Sequence, residues 1–205
     1  MKPILFNTDM VRALLEGRKM VTRRVVKPQP EARLVPGEKD CYIYRGISCG
    51  LDGMTNFAPY RPSDILYVRE TWAAWSRTMG TPPALYYKAD RNNPDTIMWH
   101  PSIYMPREAA RIFLRVMDVR VERLQDITED QAKKEAAEPA FEYSTPEGPV
   151  IVFGEDGYYN LGFKALWDST IKPTDRAIYG WDANPWVWVI EFERISKEEA
   201  GSWRK

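Results

Sequence analysis

Seven residues near the C-terminal end, Trp186 to Phe192, place the tightest limit on the fold. One face of a strand here reads Trp186, Trp188, Ile190, Phe192 and the other Val187, Val189, Glu191. Side chains alternate across a strand, so this one is apolar on both faces and most of it has to be buried on both sides. The rest of the chain must flank and cover it. With 205 residues, 44% of them hydrophobic and 13% aromatic, the sequence suffices for one domain with a sizeable core and argues against wholesale disorder. No repeat of any period is visible. Pro185 and Glu191 bound the apolar run far short of a membrane span, so no membrane partner is expected.

Local signals place the other elements. Asn7 and Thr8 can cap a helix whose Met10, Val11, Leu14 and Leu15 recur at helical spacing, with Gly17 as its left-handed stop. The β-branched stretch Arg18 to Lys27 should enter a strand that Pro28 and Pro30 end. Strands are also expected at Cys41–Arg45, at Ile65–Val68 after the turn Arg61–Asp64, and at Leu85–Lys88. One long or bent strand should run from Ile112 through Val121. Thr128 opens a helix with Gln131 as its capping box and Ile127 and Ala132 as a hydrophobic staple, and Glu135 lies on that helix. Glu138 to Asn160 reads as loop-rich, followed by a short helix carrying Phe163, Leu166 and Trp167. The expected organisation is a single domain over 1–205 with insertions near 28–60, 73–106 and 138–160.

Lys plus Arg equals Asp plus Glu at 29 each, so no global field draws the chain to nucleic acid or membrane, and any electrostatic footprint must be local. Two cysteines, Cys41 and Cys49, and a single histidine, His100, are too few for a four-coordinate zinc site. No metal site or cofactor is expected, and His100, between Trp99 and Pro101, reads as structural or exposed. No apolar signal segment precedes the cysteines, which points to free thiols in a reducing, cytoplasmic setting.

The densest charge is Arg18, Lys19, Arg23, Arg24 and Lys27, without an intervening carboxylate. Cations leaving a helix C-terminus complement its dipole, as on an ordinary solvated surface. Thr22 among them supports a second reading, in which a hydroxyl, an amine and guanidinium groups bind and attack an electrophilic carbonyl. A regular strand would put Lys19 and Thr22 on opposite faces, so that reading requires the backbone to turn near Met20. Among the tryptophans, Trp186 and Trp188 belong to the core, as most of the eight should. Trp72, after Arg69, Glu70 and Thr71 at a strand end, and Trp181 beside Asp182 are the better candidates for stacking on a base. Arg69 and Glu70 also fit a plain ion pair.

Leu15 to Arg24 resembles the G-R-K-x-x-T-x-R signature of ASCH domains. Ser63 to Val68 is similar to that family's G-D-x-L-x-V strand, with Ser63 in place of the glycine, Leu124 to Glu135 to its L-T-E-x-x-A-x-x-E passage, and Trp186 to Phe192 to its terminal strand. The resemblance implies an α+β protein built on a PUA-like, partly closed β-barrel flanked by short helices. It also implies a nucleoside or single-stranded RNA as partner. Amidohydrolases of the family that deacetylate N-acetylated cytidine use a Lys, a Thr and a Glu, which match Lys19, Thr22 and Glu135 as proton acceptor, nucleophile and proton donor. Met20 stands where those enzymes have a second Thr. Arg18, Arg23, Arg24, Glu70, Trp72 and Trp181 complete the expected substrate-binding set. The alternative is a noncatalytic RNA-binding or regulatory module using the same cations on phosphate. A nuclease would need a carboxylate cluster that the sequence does not display, and the insertions leave room for a protein partner.

Overall fold

A computed structural model of the chain describes residues 1–32, 41–75, 84–146 and 148–202. Trp203, Pro82, Pro83 and the middle of the 28–60 insertion lie outside the described residues. In chain order the elements begin β1 (Lys2–Leu5), α1 (Thr8–Leu15), β2 (Val21–Val25), β3 (Glu31–Ala32), β4 (Tyr42–Tyr44), β5 (Ile47–Cys49) and α2 (Leu51–Met54). They continue with β6 (Ile65–Arg69), β7 (Trp72–Trp75), β8 (Ala84–Tyr87), β9 (Phe113–Arg123), α3 (Glu129–Lys134), β10 (Ala140–Thr145) and β11 (Gly148–Phe153). The chain closes with α4 (Tyr159–Thr170), α5 (Arg176–Tyr179), β12 (Trp186–Ile195) and α6 (Lys197–Ser202).

Strands and helices mix as α+β. Hydrogen-bonded neighbours of the largest sheet run β1-β6-β9-β12-β2. Among the described residues no ladder joins its two end strands, so the expected barrel is not closed: this sheet is open, and β3-β4-β5, β7-β8 and β10-β11 form separate small sheets. The chain divides into two compact units.

The first unit comprises Met1–Arg18, Pro62–Met117 and the stretch from Phe192 on. Asn7 Oδ1 caps α1 by accepting from Met10 N at 2.8 Å, and Val11, Ala13 and Leu14 form its buried face. Gly17 at φ +75 turns the chain out of the helix, with Arg18 N donating to Ala13 O at 2.9 Å. β1 lies parallel to β6, Lys2 opposite Leu66 and Leu5 opposite Arg69, and β6 pairs antiparallel with the start of β9. Ser63 leads into β6 at φ +71. This left-handed conformation favours glycine, the residue that the resembled motif carries there. Met105, Ile65, Phe113 and Ile195 form a core cluster.

The second unit comprises Lys19–Arg61 and Asp118–Glu191. Here β2 pairs antiparallel with β12, Thr22 opposite Ile190 and Arg24 opposite Trp188. Val187 and Val189 pack into a cluster with Val21, Leu124, Ile127, Ala132, Phe163 and Trp167. On the other face, Trp186 meets Tyr42 at 5.1 Å between ring centroids and Trp188 meets Tyr44 at 6.3 Å. Trp186 to Ile190 is accordingly buried throughout, as its doubly apolar pattern requires. The capping box forms: Thr128 Oγ1 accepts from Gln131 N and Gln131 Oε1 accepts from Thr128 N, while Ile127 and Ala132 share the cluster. The stretch read as loop-rich is instead a hairpin, β10 paired antiparallel with β11 from Ala140↔Phe153 to Thr145↔Gly148. The helix after it, read as short, extends over 12 residues.

Candidate functional site

Lys19 precedes β2, on backbone with no regular structure between Gly17 and Val21. Strand alternation therefore does not constrain Lys19. This segment docks on the C-terminal end of α3. Met20 N donates to Lys134 O at 2.8 Å, and Lys19 Nζ donates both to the Glu135 backbone oxygen at 3.0 Å and to Glu135 Oε2 at 2.7 Å. A cation on the last carbonyls of a helix offsets the negative end of its dipole.

Glu135, the C-cap of α3, is buried and also accepts from Arg23 Nη1 at 3.3 Å. Arg23 Nη2 reaches Gln131 Oε1 at 2.8 Å and Glu122 Oε2 at 3.2 Å, and its guanidinium lies 5.8 Å from the Phe163 ring centroid. Lys19 and Arg23 side chains are 0% exposed and Glu135 is 3% exposed, so two cations and one carboxylate share a volume without bulk water. Burial pulls the Lys19 ammonium below its ordinary value; Glu135 opposes this, while Arg24 and Arg23 push in the same direction as burial. Arg24 is lowered by burial as well, with Glu135 and Tyr60 opposing.

Val21, Arg23 and Val25 face the Phe163 cluster, so alternation places Thr22 and Arg24 on the opposite face of β2. Thr22 is 2% exposed. It shares its strand face with Arg24, which is within electrostatic reach of both Lys19 and Glu135.

The structure thus joins Lys19, Arg23 and Glu135 directly and places Arg24 beside them. The cations do not form a common surface patch. Arg18 pairs with Glu16 at 2.5 Å, Lys19 and Arg23 are buried, and Lys27, 4.5 Å from the Tyr179 ring centroid, is exposed. Trp181 packs edge-on against Phe163 at 6.3 Å between centroids, as part of the core wall. Gln131 and Glu122, which complete the ring of groups around Arg23, carry no site signal in the sequence. Gln131 reads as a helix cap and Glu122 as one charge in a long strand.

Glu70 and Trp72 belong to the first unit. Arg69 does not pair with Glu70; it donates to Met105 O at 3.0 Å. Glu70, with 2% of its side chain exposed, is held by Arg111 through two bonds of 2.9 and 3.1 Å, and Arg111 also pairs with Asp90 at 2.8 Å. Burial raises the Glu70 pKa, Arg111 opposes, and Asp90 adds to the rise. The Arg111 guanidinium lies 3.9 Å from the Tyr87 ring centroid. Trp72, partly buried, packs against the Met105 cluster, with the His100 ring 5.4 Å away. Cys41 and Cys49 carry free thiols. Among the described residues no cluster of His, Cys, Asp or Glu could hold a metal ion, and no helix is long and apolar enough to cross a membrane.

No family model, curated protein or solved structure matches this chain.

Proposed function

We propose that the chain is an ASCH-type, PUA-like cytoplasmic protein that binds a nucleoside or RNA base and hydrolyses an acylated, cytidine-like amide without a metal. The observation that carries this reading is the buried contact of 2.7 Å between Lys19 Nζ and Glu135 Oε2. These residues are 116 positions apart, and the ASCH resemblance assigns them the roles of proton acceptor and proton donor.

The chemistry follows from where one proton sits. As an ion pair, Lys19 cannot act as a base and Glu135 cannot act as an acid. The reaction requires the shared proton to move along the hydrogen bond to Glu135 Oε2, leaving on Lys19 the neutral amine that burial favours for that group. Lys19 Nζ then accepts the Thr22 hydroxyl proton as Thr22 Oγ1 attacks the amide carbonyl carbon. Collapse of the tetrahedral adduct breaks the C–N bond, Glu135 protonates the departing nitrogen, and an acyl ester remains on Thr22. The Glu135 carboxylate then takes a proton from water as the water oxygen attacks the ester carbonyl, and the Lys19 ammonium returns its proton to Thr22 Oγ1 as the acyl C–O bond breaks and the acid leaves. The neighbouring guanidinium groups suit the oxyanion that develops on the carbonyl oxygen.

The test is incubation of the purified protein with N-acetylcytidine, monitored for cytidine and acetate. Thr22→Val, which keeps shape and removes the hydroxyl, should lower kcat by about a hundredfold or more, and Thr22→Ser should restore most of it. No release by folded wild-type protein, or full turnover by Thr22→Val, overturns the reading.

A further inference from the structure

The β7–β8 hairpin of the first unit has two unlike faces. The opposed pair Trp72 and Tyr87 packs against the Met105 cluster. Alternation puts the next pair, Ala73 and Tyr86, on the other face together with Trp75 and its partner Ala84. That second face forms one wall of a hollow of about 640 Å³.

The opposite wall is the segment that includes Thr96, Ile97, Met98 and His100. It is pinned on either side. Asn93 Nδ2 donates to Tyr87 O at 2.9 Å and to Asp90 O at 2.7 Å, while Trp72 and His100 exchange backbone hydrogen bonds of 3.2 and 2.8 Å. The hollow is thereby framed by fixed backbone, and the small Ala73 side chain, 3% exposed, leaves room at its base. Its volume falls in the range of small-molecule sites, roughly 300–1,000 Å³.

The composition of the wall selects the ligand. Among the described residues no carboxylate, ammonium or guanidinium lines it. It presents instead the Trp75 indole, the Tyr86 phenol, the His100 imidazole and the Met98 thioether, groups that pack on the faces and edges of planar rings. Trp75 is 52% exposed and Met98 86% exposed, so these two large apolar side chains have unburied surface to offer an occupant. We infer that this hollow is a binding site for a small, uncharged, planar aromatic molecule, held against the Trp75 and Tyr86 rings beneath Met98. A charged ligand would leave its hydration shell without meeting an opposite charge among the described lining residues.

The experiment titrates the full chain with N-phenylnaphthylamine, an uncharged aromatic probe whose fluorescence rises in apolar surroundings. A single saturable site is expected, with affinity reduced about tenfold in Trp75→Ala, the size of one lost stacking contact. Met98→Glu, which places a carboxylate at a largely exposed position, should weaken binding of the same probe while circular dichroism remains that of the parent. Anilinonaphthalene sulfonate, the same ring system carrying an anion, should bind more weakly than the neutral probe. Absence of saturable binding, unchanged affinity in Trp75→Ala, or tighter binding of the sulfonate overturns the inference. Turnover of N-acetylcytidine is measured separately, so the outcome here is distinct from that of the proposed reaction.

Discussion

Glu135→Gln isolates what the buried carboxylate does, because it removes a charge and little volume. Arg23 would keep Glu122 at 3.2 Å and Gln131 at 2.8 Å. Lys19, whose side chain is 0% exposed, would lose the anion 2.7 Å from its amine and keep the Glu135 backbone oxygen position at 3.0 Å. Removing one partner of a buried pair costs about 3–5 kcal/mol. With a carbonyl acceptor still present, the expected loss near neutral pH lies at the low end, about 3 kcal/mol. The dependence on pH identifies the stranded group. Burial already holds Lys19 below 10.5 in the folded protein, and Glu135 is the group that opposes this fall, so the variant pushes it lower. Between the folded and unfolded values the unfolded chain binds more protons, and stability therefore rises with pH. The contribution is complete above the unfolded value and is lost as pH falls through the folded one, at about 1.4 kcal/mol for each unit of added separation. Urea unfolding at about pH 7 and about pH 10 should show a deficit, relative to wild type, that shrinks on the alkaline side. Lys19→Met combined with Glu135→Gln should recover most of the neutral-pH loss, since no unpaired ammonium remains. A neutral-pH deficit below about 1 kcal/mol, or one indifferent to pH, would refute the argument.

Two further substitutions test other contacts. Arg111→Ala leaves the Glu70 carboxylate, 2% exposed, without its bidentate partner, at a cost of about 3 kcal/mol near neutral pH. Because the Glu70 pKa is already raised by burial, its contribution is present below the unfolded value and lost as pH rises through the folded one. The variant should regain stability toward about pH 4 in chemical denaturation. Gly162→Ala would bring a Cβ to 1.7 Å from Glu138 O, a backbone clash that no rotamer relieves. Thermal melts should show a loss of about 3 kcal/mol or more, and a near-neutral result would mean that α4 is not packed so closely there.

The parts of the fold legible in the sequence are those fixed by residues near one another in the chain. Asn7 with Gly17, and Thr128 with Gln131, place helix ends because capping acts over three or four residues. The terminal strand was legible because alternation is local. The β10–β11 hairpin was obscured by Pro146 and Gly148, which read as loop punctuation although Phe141 and Tyr143 alternate with polar neighbours and Val150 to Phe153 is strongly β-prone. At the candidate site, Lys19 and Glu135 were named through a resemblance of motifs, whereas Gln131 and Glu122 were not, since no local pattern marks a side chain that serves a guanidinium about a hundred residues away. The same reason hid Arg111 as the partner of Glu70, where the adjacent Arg69 was the nearer guess. Trp75 was passed over for Trp72 because strand phase decides which indole enters the core, and the phase of β7 follows from pairing with β8.

Helix α3 has only six residues, well below the length at which an isolated helix persists in water, about a dozen residues. Yet both of its ends are riveted to the segment around β2. Gln131 Oε1 holds Arg23 near the start, and Lys134 O together with both oxygen sites of Glu135 holds Met20 and Lys19 at the finish. The helix therefore exists as an accessory of that segment, forming and melting with it, and the Glu135 carboxylate is delivered to the Lys19 amine by the same bonds that make the helix possible.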